Sequence, residues 1–221
     1  MLPRQIPLEL PAHRAHERDD LIVGASNALA VDLLDAWPDW PGNSVILAGP
    51  IGSGKTHLAQ IWADNAGAQI VSMAQLSLAT MPDAECLVLE DAEAGSIDET
   101  ALFAVLNHAR TQGGHCLITS RSFPQAWGIE LPDLNSRLRA AQLVELGEPD
   151  DLLLRQVIVK LFADRQLNVP PRLVDYLVAR MERSLGAANA LVDEIDREAL
   201  SRKGPVTRQV AAQALERLSM G

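Results

Sequence analysis

The run Gly49-Pro50-Ile51-Gly52-Ser53-Gly54-Lys55-Thr56 has the residue types and spacing of a phosphate-binding loop, GxxxxGK[ST]. The chemistry such a loop supports is anion capture. Its glycines let the backbone turn tightly with several N–H groups facing inward. Lys55 would reach the β- and γ-phosphates of a nucleotide, and the Thr56 hydroxyl would ligate Mg²⁺. Pro50, Ile51, Gly52, Ser53, Gly54 and His57 complete the backbone expected to surround the phosphates. A second constellation is Cys86-Leu87-Val88-Leu89-Glu90-Asp91, an apolar run ending in two carboxylates. In such a pair one carboxylate holds Mg²⁺ and the next polarises an attacking water. The pairing usual for those roles is Asp then Glu; here Glu90 takes the metal place and Asp91 the catalytic one. Each carboxylate is displaced by about one C–C bond, and misplacement of about 1 Å can lose roughly 10²-fold in rate. The expectation is tight nucleotide binding with slow intrinsic hydrolysis.

Thr119 and Ser120 close a later apolar run, where a hydroxyl would face the γ-phosphate unless both simply end a strand. Arg137, in Leu134-Asn135-Ser136-Arg137-Leu138, stands before the last strand-like segment. Read alone it is a surface arginine. Projected into a neighbouring subunit's nucleotide, it would stabilise transition-state charge in trans.

The elements that must position these groups follow from periodicity. Ser44–Ala48 reads as a buried strand and the residues from His57 to Ala63 as the helix after the loop. Further strands are expected at Gln69–Ser72, Cys86–Leu89, His115–Thr119 and Gln142–Leu146, with helices over Asn27–Ala36, Asp98–Gln112 and Leu134–Ala140. Ser26 or Asn27 is expected to cap the first helix. Alternating strands and helices imply an α/β fold with a parallel sheet covered on both faces. After Pro149 the pattern becomes helical only: Asp150–Gln166, Pro171–Glu182, Ala187–Arg202 and Thr207–Leu218, with Asp150 and Thr207 as caps and Pro171 in a first helical position. Three segments are expected: an arm at 1–19 broken by Pro3, Pro7 and Pro11, a nucleotide-binding base at 20–147, and a helical lid at 148–221.

The net charge is −10 and lies on one side of the chain. Residues 1–146 carry 8 Lys and Arg against 18 Asp and Glu, whereas residues 147–221 carry 11 of each. An acidic base repels a phosphate backbone, so sequence-specific DNA binding by this chain is not expected and a protein partner is. No apolar run is long enough for a membrane span, and a signal-peptide core is missing. Two cysteines, Cys86 and Cys116, give neither a disulfide framework nor a metal-ligand spacing, which is the pattern of a reduced cytoplasmic protein.

An α/β nucleotide base followed by a small helical lid resembles the AAA+ P-loop NTPases. Within them, Asp20-Leu21-Ile22-Val23-Gly24-Ala25-Ser26-Asn27 is similar to the adenine-side segment of the bacterial replication initiator DnaA. Lys55-Thr56-His57-Leu58, Ile118-Thr119-Ser120 and the Leu-x-Ser-Arg box around Arg137 resemble that family too. The likeness covers residues 20 to about 218 and is expected to stop short of the initiator's helix-turn-helix origin-binding domain and long N-terminal extension. That combination resembles the regulatory inactivators of DnaA, the Hda family.

The resemblance implies that Leu21, Ile22, Val23 and Gly24 face adenine, that the loop and Ser120 face phosphates, and that ADP or ATP binds with Mg²⁺. It implies that Arg137 is a finger acting on ATP held by DnaA, which would make this chain a negative regulator of replication initiation. It also gives the arm a meaning. Gln5-Ile6-Pro7-Leu8-Glu9-Leu10 resembles the motif that docks on the DNA polymerase III β sliding clamp, with Gln5 in a polar subsite and Leu8 and Leu10 as apolar anchors. A finger acting in trans requires contact between subunits, which leaves a homo-oligomer open. Two positions depart from the initiator: Gly186 stands where a phosphate-sensing arginine is usual, with Arg183 three residues earlier, and Arg121 replaces an acidic residue. Two other classes share the phosphate loop: a self-sufficient ATPase acting as a helicase-loading or transposition helper, and a nucleoside or nucleotide kinase. The Glu90-Asp91 order and acidic base oppose the first; the helical lid and the arm oppose the second.

Overall fold

The computed structural model describes Arg18 and residues 21–202 and 204–219. The arm residues Gln5, Leu8 and Leu10 lie outside them. Among the described residues five parallel strands form one sheet in the order β2-β3-β4-β1-β5, with β1 Ser44–Ala48, β2 Gln69–Ser72, β3 Cys86–Ala92, β4 His115–Ser120 and β5 Gln142–Glu145. Val45, Ile46 and Leu47 of β1 are 0% exposed, as expected for a strand paired on both sides and covered on both faces.

Side-chain alternation divides the sheet into two cores. Ile46, Leu87, Leu89, Cys116 and Ile118 pack with α3 (Glu99–Gln112) and α4 (Pro132–Ala140). Val45, Leu47, Val88 and Leu117 pack on the opposite face with α1 (Ala28–Asp35) and α2 (Lys55–Ala66). A third core joins α5 (Asp151–Asp164), α6 (Pro171–Val178), α7 (Leu185–Arg202) and α8 (Arg208–Ser219) around Leu154, Ile158, Phe162, Leu177, Leu191 and Ile195. Each buried side chain of this size contributes about 1.5–3 kcal/mol.

Local signals explain the element boundaries. Asp98 accepts from the Ala101 N–H at 3.0 Å and Asp150 from the Leu153 N–H at 2.7 Å, each capping the helix that follows. Thr207 caps α8 more loosely, at 3.4 Å from the Val210 nitrogen. Pro171 opens α6 in its first turn. The helix expected to reach Glu182 ends instead at Val178, and α7 starts two residues before the expected Ala187. Ser184 is the reason for the early start, because its Oγ accepts the Ala187 N–H at 2.9 Å. β3 runs beyond the expected Leu89 to Ala92, through a break in register with β4 between Leu89 and Ala92.

Candidate functional site

The phosphate loop is the turn from β1 into α2. Gly54 caps α2 at φ 100° and brings no side chain to the first-turn N–H groups. Those groups and the helix dipole form the anion-attracting end expected of the motif. Lys55 is 7% exposed and curls back over the loop, its Nζ donating to the carbonyls of Gly49 at 2.8 Å and Pro50 at 2.7 Å. Burial pushes the Lys55 ammonium below the usual lysine range, the Asp91 carboxylate opposes this and the Arg121 guanidinium adds to it. A phosphate beside Lys55 would favour its charged form. Ser53 is buried at 3% exposure, whereas Ile51 stands out at 67% on the loop tip. Thr56 is exposed and His57 half-buried in the first turn of α2.

Glu90 and Asp91 sit at the disturbed end of β3. Asp91 has φ 57°, in the left-handed region, and its N–H donates to the Thr119 hydroxyl at 3.1 Å. A short polar residue tolerates that backbone better than a long one, which gives the inverted Glu-Asp order a local cause. Burial raises the Glu90 carboxyl, the Thr56 hydroxyl works against this, and Asp91 adds to it. Glu90 Oε1 is buried with no hydrogen-bond partner. An orphaned carboxylate oxygen near the Thr56 hydroxyl fits a divalent cation. Among the described residues no cluster of three or more His, Cys, Asp or Glu is arranged to hold a metal. Mg²⁺ would therefore take Thr56 and Glu90 and fill its other places with phosphate and water oxygens.

Ser120 is set differently from its expected place against phosphate. It is 0% exposed, and its Oγ donates to the Ala92 carbonyl at 2.6 Å while accepting from Trp127 Nε1 at 3.0 Å and the Ser122 N–H at 3.1 Å. Its hydroxyl ties the ends of β3 and β4 together. Arg121, the next residue, is exposed and lies 3.0 Å (Nε) from Glu93 Oε1. That ion pair lacks a directed hydrogen bond, since the same oxygen has no hydrogen-bond partner.

Leu21, Ile22, Val23 and Gly24 run into α1 as an irregular segment held by Asn27. The Asn27 side chain does not cap α1. It accepts the Gly24 N–H at 2.8 Å and donates to the Ile22 carbonyl at 3.0 Å, buried at 4% exposure. In the sequence Asn27 reads only as a cap, because a side chain that reaches backward has no local signature.

The lid meets both parts of the site. The Leu185 N–H donates to the Gly52 carbonyl at 2.8 Å, and Leu153 of α5 packs over Gly24, its Cβ 3.2 Å from where a Cβ on that glycine would stand. Gly52 has φ +76°, and a Cβ there would overlap Ser184. Gly186 lies exposed in the first turn of α7, and Arg183 pairs with Asp151 at 2.7 Å.

Arg137 is half-buried on α4, away from the loop in sequence. Leu134 and Leu138 anchor that helix in the core at 0% and 4% exposure. The Glu99 carboxylate accepts the N–H groups of Glu130 at 3.0 Å and Leu131 at 2.7 Å, and Asn135 Nδ2 donates to Ile129 O at 2.9 Å, fixing the approach to α4. Among the described residues the Arg137 guanidinium has no ion pair or hydrogen bond.

The strand order, the phosphate loop and the helical lid together define an AAA+ P-loop NTPase fold. No protein-family model matches the chain. It is 25% identical over 224 residues to an uncharacterized protein of Haemophilus influenzae, spanning 92% of this chain and 95% of that one. Domain III of the replication initiation protein DnaA from Thermotoga maritima superposes with a TM-score of 0.80 at 17% identity, covering 94% of this chain and 98% of that one. A replication initiator DnaA bound to AMPPCP and single-stranded DNA gives 0.70 at 21% identity, over 84% of this chain and 66% of that one. The RuvB Holliday junction branch migration motor of Thermotoga maritima gives 0.67 at 18% identity, over 88% and 69%. The architecture is DnaA-like, a likeness of fold. Among the described residues no helix is long and apolar enough to cross a membrane.

Proposed function

We propose that this chain is a nucleotide-binding regulator that stimulates hydrolysis of ATP held by DnaA, the activity of the Hda family. The observation that carries the reading is the contrast between a phosphate loop that leads Lys55 and Thr56 into the first turn of α2 and a carboxylate pair turned at a strand irregularity, with Asp91 at φ 57°. Such a site favours holding ADP or ATP with Mg²⁺ over hydrolysing it, because catalysis is sensitive to about 1 Å of misplacement. The AMPPCP carried by a DnaA of the same fold supports the nucleotide assignment. Lid contacts at Gly52 and Gly24 make bound nucleotide a strut between base and lid, and ligand held only by the folded form stabilises that form.

Arg137 supplies the activity toward DnaA. Among the described residues its guanidinium makes no ion pair or hydrogen bond, and it rides on a helix fixed at its entry by Glu99. An arginine delivered to another subunit's γ-phosphate is worth roughly 10³–10⁵ in rate. Gln5, Leu8 and Leu10 dock the arm on the β sliding clamp, which brings an acidic protein to DNA without direct contact, in the cytoplasm. The test is hydrolysis of DnaA-bound ATP on clamp-loaded DNA with the intact protein or its Arg137→Ala variant. Acceleration by the intact protein alone supports the reading. Equal acceleration by both removes Arg137 from it. If neither accelerates, the reading fails and a self-sufficient ATPase helper replaces it.

A further inference from the structure

Most cations of the lid are matched within it: Arg155, Arg165, Arg183 and Arg217, for example, each pair with an Asp or Glu. Among the described residues Arg172, Arg180 and Arg208 are the lid cations without an ion pair. These three gather around Tyr176, the only tyrosine of the chain. The guanidinium carbons of Arg180 and Arg208 lie 4.2 Å and 4.7 Å from its ring centroid. Arg172 stands one turn before Tyr176 on the same face of α6. Tyr176 itself is half-buried against the lid core, which fixes the ring that carries the two guanidiniums. Arg172 and Arg208 also lie in the first turns of α6 and α8, neither of which has an acidic residue there. A cation at that end opposes the helix dipole, so both placements cost stability inside the chain and concentrate positive potential outside it.

We propose that this patch is a docking surface for a short acidic segment of a partner protein, whose carboxylates take Arg172, Arg180 and Arg208. All three side chains are exposed. A guanidinium laid on an aromatic ring keeps its N–H edge for a bidentate carboxylate, and the ring holds it in place beforehand. The nearest carboxylate in sequence, Asp175, is occupied by Arg155 at 2.6 Å and does not compete. Charge complementarity selects the occupant. Three cations on one bounded patch match a few carboxylates. A duplex backbone would run on past the patch over a chain of net charge −10, which repels it. The surface belongs to the lid's α6 and α8 and does not depend on the nucleotide reading.

The experiment is fluorescence anisotropy of labelled hexaglutamate and of a labelled DNA duplex, each titrated with the full chain at low salt. Losing an exposed charge contact corresponds to up to about fivefold in affinity. Arg172→Ala, Arg180→Ala and Arg208→Ala are each expected to weaken hexaglutamate by about that factor. Arg208→Lys is expected to fall between, since it keeps the charge and loses the fork. Arg110→Ala, an equal charge change at an exposed position in the last turn of α3, is expected to stay within about twofold. Melting temperatures identify any variant that loses binding by unfolding, and Arg172→Ala and Arg208→Lys then decide. No saturable binding of hexaglutamate by the unaltered chain would overturn the proposal. So would a loss in Arg110→Ala equal to the others, or no loss in Arg172→Ala, which would leave the arginines only a stacking role on Tyr176. Tighter binding of the duplex than of hexaglutamate, lost in the same variants, would make the patch a phosphate surface and overturn it too.

Discussion

Gly52→Ala is the sharpest perturbation of the contact between lid and phosphate loop. Gly52 has φ +76°, and a Cβ there would overlap the Cβ and Oγ of Ser184, whose position is fixed because it caps α7. Two costs combine. An L-residue in the left-handed region loses about 1–2 kcal/mol. Pushing Ser184 away also threatens the Leu185 N–H bond to the Gly52 carbonyl, worth about 0.5–1.5 kcal/mol, and adds overpacking strain. Gly113→Ala isolates the first cost, since Gly113 has φ +75° at the end of α3 and nothing within 4 Å of an added Cβ. The expected loss is about 2–4 kcal/mol for Gly52→Ala and about 1–2 kcal/mol for Gly113→Ala. Thermal melting should separate them, because 1 kcal/mol shifts Tm by about 2–4 °C in a chain of this size. Melting with ADP should separate them further, the ligand-induced gain shrinking only in Gly52→Ala. Equal Tm losses and equal ADP responses would refute the idea that the lid rests on the loop.

Asn27→Ala removes the two bonds that hold Ile22 and Gly24 and should cost about 1–3 kcal/mol in urea unfolding, with weaker ADP binding. Ser120→Ala should lower stability by a similar amount, about 1–3 kcal/mol, and shift Trp127 fluorescence while leaving ADP affinity within about twofold. Asp91→Asn should fold as the parent does, whereas Asp91→Val should lose about 1–2 kcal/mol at φ 57°, read by denaturant midpoint. Burial pushes the Cys116 thiol up to about 12, so the folded chain keeps a proton that the unfolded chain releases near pH 9. Stability is therefore unaffected by this group below about pH 8.5 and falls as pH rises toward 12, and native Cys116 should resist alkylation until the chain unfolds.

Much of the fold could be read from local pattern. β1 and β2 lie where their apolar runs put them, and Asp150 and Thr207 cap the helices they precede. Those signals are short-range. The misses are long-range or depend on backbone handedness. β3 outruns Leu89 because Asp91 leaves the strand conformation for one residue, and an apolar-pattern reading stops at the first carboxylate. Ser120 looks like a free strand-end hydroxyl until Trp127 and Ala92 are placed around it. The early start of α7 came from Ser184, a cap hidden in what read as a loop. The phosphate loop is legible because it is contiguous. The lid's seat on Gly52 is not, since Leu185 lies far along the chain and no spacing rule connects them.

A site built in this way is expected to hold nucleotide without turning it over, which equilibrium ADP binding and steady-state ATP hydrolysis test on one preparation of the full chain alone with Mg²⁺. The expected result is saturable ADP binding with turnover at least roughly 10²-fold below the ordinary enzymatic range of about 1–10³ s⁻¹. Turnover within that range would contradict it, and so would a failure to bind ADP.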